Sequence, residues 1–223
     1  MRHNILIIAH PDDESMFFLP TLLNLKEPLW ILCLTTGNYD GLGEIRRKEL
    51  ECVVLEVLRV PLHHLIILDD EGLFPDHPTK RWPQERVASE IDKAITEMDC
   101  GRETPLRVFT FDEYGVSGHV NHKDTFAAVQ NYVRHNQNKK QQLEAWALVS
   151  FRNPIRKYVP MWEWLVCLKI LPVRHDESYY QLHKPFAVNW KAMQTHRSQF
   201  VWYRRLFVIF SCYTYCNRYK AIT

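Results

Sequence analysis

An α/β fold, with a mostly parallel sheet flanked by helices, is what this 223-residue chain predicts. Three observations carry that expectation. Short apolar, β-branched runs recur along the chain and read as strands buried on both faces. Between them lie stretches with apolar residues three and four apart, the period of a helix with one buried face. Their alternation is the pattern of strand–helix–strand units, which build parallel sheets covered on both sides. The length suits one compact domain over residues 1–223 with a substantial core.

The elements follow in order. Ile5 to Ala9 is the first strand, ending directly in His10-Pro11-Asp12-Asp13-Glu14. Glu14 to Lys26 carries apolar residues at 17, 18, 22, 23 and 25 and reads as a helix, with Glu14 as its starting residue. Trp30 to Thr36 is the second strand, followed by the polar loop Gly37 to Gly41. Glu44 to Leu58 is the clearest helix, with Leu50, Val53, Val54, Val57 and Leu58 on one face. Leu65 to Leu68 is a third strand, and Asp69 to Arg81 a loop rich in Pro, Asp and Gly. Pro83 suits the first turn of the next helix, whose buried face is Val87, Ile91, Ala94, Ile95 and Met98. Leu106 to Phe111 is the fourth strand, a helix runs from Asn121 to about His135, and Lys139-Lys140 is a solvated turn. Ala145 to Phe151 is the fifth strand.

Beyond Arg152 the character changes. Residues 158–171 and 200–216 are rich in Trp, Tyr and Phe. Trp, Tyr and Arg at the edge of an apolar stretch suit a membrane interface, and packing on the sheet explains them equally well. No run approaches the ~20 apolar residues of a membrane-spanning helix, and the first apolar run is too short for a signal peptide. A formal charge of +2 gives no electrostatic case for nucleic acid. Six cysteines, at 33, 52, 100, 167, 212 and 216, form no CxxC pair and read as buried free thiols. The chain has no Asn-x-Ser/Thr acceptor, which fits a chain that is not luminal.

Chemistry concentrates at the first strand's end. Ligands of open α/β sheets bind at the carboxyl ends of the strands, so one imidazole and three carboxylates arrive where reactions usually occur. Buried carboxylates are costly unless paired or bound to a cation. His10 and Asp13, three apart on a tight turn, both reach one metal ion. A catalytic zinc site needs three protein ligands plus water, and His119 or His122, after the fourth strand, supplies the third. Helix capping by Asp12 or Asp13 is the alternative reading of the turn.

The string Ala9 to Glu14 with His119-x-x-His122 resembles the PIG-L/LmbE family of metal-dependent de-N-acetylases. Residues 16–21, Gly37-Asn38-Tyr39, Glu44 to Leu50, Phe111 to His122 and His196-Arg197-Ser198-Gln199 extend the resemblance, towards its eukaryotic branch, over nearly the whole chain. The resemblance implies a Rossmann-like, LmbE-like domain and removal of acetate from N-acetylglucosaminyl-phosphatidylinositol, the second step of GPI-anchor synthesis. It makes His10, Asp13 and His122 the ligands of Zn2+ or another divalent metal. It makes Asp12 the general base and His119 the group that supports the oxyanion or protonates the leaving amine. Arg46, in an Arg-x-x-Glu element with Glu49, and His196 and Arg197 become substrate-binding residues.

An i,i+3 surface ion pair is the other reading of Arg46 and Glu49. The expected setting is a membrane surface, at the cytoplasmic face of the endoplasmic reticulum. Eukaryotic members typically carry a membrane-spanning segment ahead of the first strand, which here begins almost at Met1. Membrane contact then rests on the aromatic C-terminal segments, or the chain is a soluble fragment or isoform. Bacterial relatives often place an aromatic residue where this chain has Ser117. A de-N-acetylase of a soluble N-acetylglucosaminide and a non-catalytic subunit of a membrane complex are the competing functions.

Overall fold

The computed structural model describes residues 2–98, 104–136, 142–159, 165, 179–182 and 186–223. Strand β1 (His3–Ile8) lies at the centre of the sheet, with β2 (Leu29–Cys33) on one side and β4 (Leu106–Phe111) on the other, both parallel to it. β3 (Leu65–Ile67) extends the sheet beyond β2, and β5 (Leu143–Leu148) beyond β4. Ile5, Leu6, Ile7 and Ile8 are fully buried, as a strand covered on both faces requires. Each contributes about 1.5–3 kcal/mol by burial, so Ile7→Ala costs about 2–5 kcal/mol through the cavity it leaves.

Chain order reverses at β1, because the strand next in sequence lies to one side and the fourth to the other. Such a switch point opens a crevice at the carboxyl ends of the two diverging strands. The loops after β1 and β4 therefore meet across it.

Two strands were not foreseen. β6 (Tyr179–Leu182) and β7 (Cys216–Ala221) close the far edge in the order β3-β2-β1-β4-β5-β7-β6, with β7 antiparallel to both neighbours. β7 mixes Asn, Arg and Lys with its apolar residues, so its sequence lacks the continuous apolar signature. Its Asn217 and Tyr219 are instead buried and bonded to Thr21.

The expected helices are present with altered boundaries. Residues 14–22 form a wide π-helical turn (Glu14–Phe18) running into α1 (Leu19–Leu22). α2 (Gly43–Cys52) continues as a second π-helical turn (Val53–Val57). α3 (Gln84–Glu97) packs on α5 (Val120–Asn136), and the short α4 (Gly115–Gly118) precedes the latter. α6 (Pro154–Tyr158), α7 (Phe186–Thr195) and α8 (Trp202–Phe210) follow β5.

The second aromatic segment divides its residues between both readings. Val208, Cys212 and Tyr213 are buried, whereas Trp202, Tyr203, Leu206 and Phe210 are exposed on α8. Of residues 158–171 only 158, 159 and 165 are described, and Lys139-Lys140, Cys100 and Cys167 also lie outside the described residues. Cys33, Cys212 and Cys216 are buried free thiols, but Cys52 is exposed on α2, against expectation. Among the described residues no helix is long and apolar enough to cross a membrane.

Candidate active site

The turn after β1 is built around Asp12. Its φ of 130° is a conformation that non-glycine residues rarely adopt. Its carbonyl accepts from Ser15 N–H (3.1 Å) and Met16 N–H (2.9 Å), starting the π-helical turn. The Asp13 carboxylate folds back to accept from His10 N–H at 2.8 Å. His10, Asp12 and Asp13 are all buried at the floor of the crevice.

The facing wall comes from β4 and α5. Gly115 has φ 66°, and a Cβ there would lie 2.8 Å from Cβ of His122, so only glycine lets the two backbones approach. His122 stacks on Phe111 (4.1 Å between centroids) and donates from Nδ1 to the Gly115 carbonyl at 3.0 Å. That holds the ring with Nε2 facing Asp13, whose Oδ1 is 3.1 Å away. Nδ1 of His119 accepts from Asn121 N–H at 3.2 Å, placing the imidazole proton on Nε2. His10 has Nδ1 3.6 Å from Asp13 Oδ2 and Nε2 3.2 Å from Asp76 Oδ1.

One ligand atom from each of His10, His119 and His122 lies within 4.8 Å of the others, with Asp13 between two of them. The electrostatics favour positive charge here. Burial alone would depress the His10 imidazole, yet Asp13 and Asp76 override it and raise it to about 9. Burial alone would raise Asp13, but His122 and His10 hold it well below the carboxylate range. Asp76 is likewise held at about 2, mainly through its hydrogen bond to His10 against the opposing effect of burial. His119, farther from the carboxylates, is lowered to about 4 by burial and by its two imidazole neighbours. Imidazoles and carboxylates converging on one point, where a bound cation would displace the imidazole protons, are the donor set that zinc and similar divalent ions take.

Asp12 stands apart from this cluster and is held by arginines. Arg46 donates to Asp12 Oδ1 at 3.2 Å, to the Pro11 carbonyl at 2.9 Å and to the Gly37 carbonyl at 2.9 Å. Gly37 allows this, since a Cβ there would sit 2.4 Å from the guanidinium. Arg204 of α8 donates to Asp12 Oδ2. Arg46 and Glu49 do not pair with each other. Arg46 enters the cleft, and Glu49 accepts from Ser198 N–H and Oγ at 2.8 and 2.7 Å.

The segment from 196 to 199 corrects the sequence reading. His196 is fully buried, 2.6 Å from Glu14, and reaches no open cleft. Arg197 lines a separate groove with Lys48 and Lys191. Gln199 is the residue of this string that lines the cleft of about 320 Å³ holding His10, Asp12 and His122.

Asp76 and Arg204 were missed. Asp76 belongs to a loop after β3, at the expected edge of the sheet, but Asp69, Asp70 and Glu71 were equally eligible. Arg204 sits in an aromatic helix with no catalytic spacing at all.

Fold and site together define a class: an α/β protein with a histidine–carboxylate centre at its switch point, a donor set that suits a divalent cation. Comparison with known proteins narrows it. A family model described as PIG-L, GlcNAc-PI de-N-acetylase, matches residues 5–133, and the chain belongs to that family of deacetylases. It is 37% identical over 222 residues to the N-acetylglucosaminyl-phosphatidylinositol de-N-acetylase of Bos taurus, covering 96% of this chain and 81% of that one. The Saccharomyces cerevisiae protein of the same name is 32% identical, covering 98% and 81%.

Among solved structures, N,N'-diacetylchitobiose deacetylase from Pyrococcus horikoshii aligns with a TM-score of 0.65 at 17% identity, over 99% of this chain and 83% of that one. A 4-carboxy-2-hydroxymuconate hydratase from Pseudomonas putida aligns at 0.62 and 12% identity, over 100% and 97%. A deacetylase and a hydratase on one fold show that the architecture alone does not choose the reaction.

Proposed function

We propose that this protein hydrolyses the acetamide of N-acetylglucosaminyl-phosphatidylinositol, releasing acetate and glucosaminyl-phosphatidylinositol, at the cytoplasmic face of the endoplasmic reticulum. His10, Asp13 and His122 hold a zinc ion in this reading. The observation that carries it is the separation just described: Asp13 joins the imidazoles, while adjacent Asp12 is kept free of them. When bound, the ion supplies a water pKa of about 7 and polarises the amide carbonyl.

Asp12 then takes the proton of the attacking water as general base. The water oxygen bonds to the carbonyl carbon, and charge develops on the carbonyl oxygen. His119, with its proton on Nε2, donates a hydrogen bond to that oxyanion rather than acting as an acid. As the C–N bond breaks, the proton held by Asp12 passes to the departing amine.

A lipid substrate is supported by the surroundings. A second groove of about 650 Å³, lined by Tyr158, Leu206, Phe207 and Phe210, adjoins the cleft and shares Phe17, Ser117 and Arg204 with it. Lys157 lines it too, and burial lowers its ammonium pKa. A partly desolvated cation beside aromatic rings suits the phosphodiester of an acyl-bearing substrate. The exposed Trp202, Tyr203, Leu206 and Phe210 suit contact with a membrane surface.

Turnover of the lipid substrate is to be compared with turnover of the same glycoside lacking its diacylglycerol. Preference for the lipid form is expected. Equal or better turnover of the soluble form overturns the lipid assignment and leaves a soluble-glycoside deacetylase.

A further inference from the structure

Glu14 and His196 lie beneath the cleft, touch no open surface and have no part in the steps above. Both are fully buried. Glu14 Oε2 accepts the N–H of Asp12 at 3.1 Å. Glu14 Oε1 takes Ser15 Oγ–H at 2.6 Å and lies 2.6 Å from His196 Nε2. A chain of contacts thus runs from the residue after α7, across 182 positions of sequence, to the backbone of the residue assigned as base.

We infer that Glu14 and His196 are positioning residues that hold Asp12 in its strained backbone conformation and so aim its carboxylate at the reacting water. The inference rests on the reading of Asp12 as general base. A residue in a sparsely populated conformation persists only where its surroundings over-determine it. Here the side-chain oxygens of Asp12 are held by Arg46 and Arg204, its carbonyl by Ser15 and Met16, and its N–H, among the described residues, by Glu14 alone.

Stability alone is a poor explanation for the pair. Buried ion pairs are often replaced by apolar residues of similar volume without loss. His196 also carries a cost of its own, because its Nδ1 is buried with no hydrogen-bond partner among the described residues. The connection is specific in another way: Glu14 bonds to Asp12 and not to Asp13, so it acts on the base and not on the metal ligands.

The test uses His196→Leu, which removes the donor, and His196→Gln, which keeps an N–H in reach of Glu14. Misplacement of a reacting group by about 1 Å costs roughly 100-fold. His196→Leu is therefore expected to lower kcat by roughly 10- to 100-fold, with KM and bound divalent metal unchanged, and His196→Gln to recover most of the loss. In an Asp12→Asn background, His196→Leu is expected to lower the residual rate no further.

A normal kcat in folded His196→Leu overturns the inference, as does loss of metal, or the same fold loss repeated without Asp12. If His196→Leu does not fold, Glu14→Gln and His196→Gln are read in the same cycle: a further loss in the Asp12→Asn background overturns the inference, and none supports it. Wild-type turnover by Asp12→Asn alone would instead overturn the base assignment. An inactive Asp12→Asn beside a fully active His196→Leu would remove only the positioning role.

Discussion

The loops after β1 and β4 and the C-terminal segment from α7 through α8 serve the same cleft in different ways. The first two carry the imidazoles that converge on one point, with Asp13 between two of them: His10, Asp13, His119 and His122. The third carries none of these, and its contributions meet at Asp12, through Arg204 directly and through His196 by way of Glu14. The family model covers residues 5–133, and so spans the first region and stops before the last. In the proposed function, metal ligation is a local problem, met by two short motifs at a switch point. Holding the proposed base in an unfavourable backbone conformation, clear of the residues beside it, needs support from distant parts of the chain.

Variants that strike the first region should have the largest effects. Asp13→Ala is expected to lose both bound divalent metal and turnover, on the order of 1,000-fold or more, read by metal analysis alongside steady-state kinetics. Zinc retained at full occupancy would remove Asp13 from the ligand set.

His119→Ala should keep the metal and lose about 100- to 1,000-fold in kcat, the usual cost of one oxyanion donor. Loss of metal in that variant would instead place His119 among the ligands.

The C-terminal segment should show its own signature. The double variant Leu206→Asp, Phe210→Asp changes two exposed residues of α8 and should fold normally. It is expected to lower kcat/KM for the lipid substrate about tenfold relative to the tail-less glycoside, as loss of two apolar contacts implies. An unchanged ratio would remove α8 from substrate recognition.

The smallest effect concerns pH. Burial alone would lower the His196 pKa, but the Glu14 carboxylate overrides it and the pKa is raised. Its stabilisation is therefore complete below the unfolded value of about 6.5 and is lost as pH rises through the folded value. Thermal melts of His196→Gln should lose stability relative to wild type at low pH and converge with it at high pH. A constant offset across the range would contradict this linkage.

How much was legible follows the same division. β1, β2 and β4 announced themselves through apolar runs, and the motifs at their ends placed His10, Asp12, Asp13, His119 and His122 at one edge. The structure brings those five together. β7 was illegible because its buried polar residues, Asn217 among them, are satisfied by partners nearly 200 positions away. His196 was read as a substrate contact because an imidazole near a matching motif carries no mark of its burial. Arg204 was hidden in an aromatic helix, where only tertiary placement gives it a role. Asp76 could be narrowed to a loop but not chosen from its acidic neighbours.

The central claim is that Asp13 binds the ion and Asp12 moves the proton. Metal content and turnover measured together on purified Asp12→Asn test it most directly. The expected result is a stoichiometric divalent ion, as in the wild type, with turnover of the lipid substrate reduced by about 100- to 10,000-fold. Loss of the metal, or turnover close to wild type with the metal in place, would contradict it.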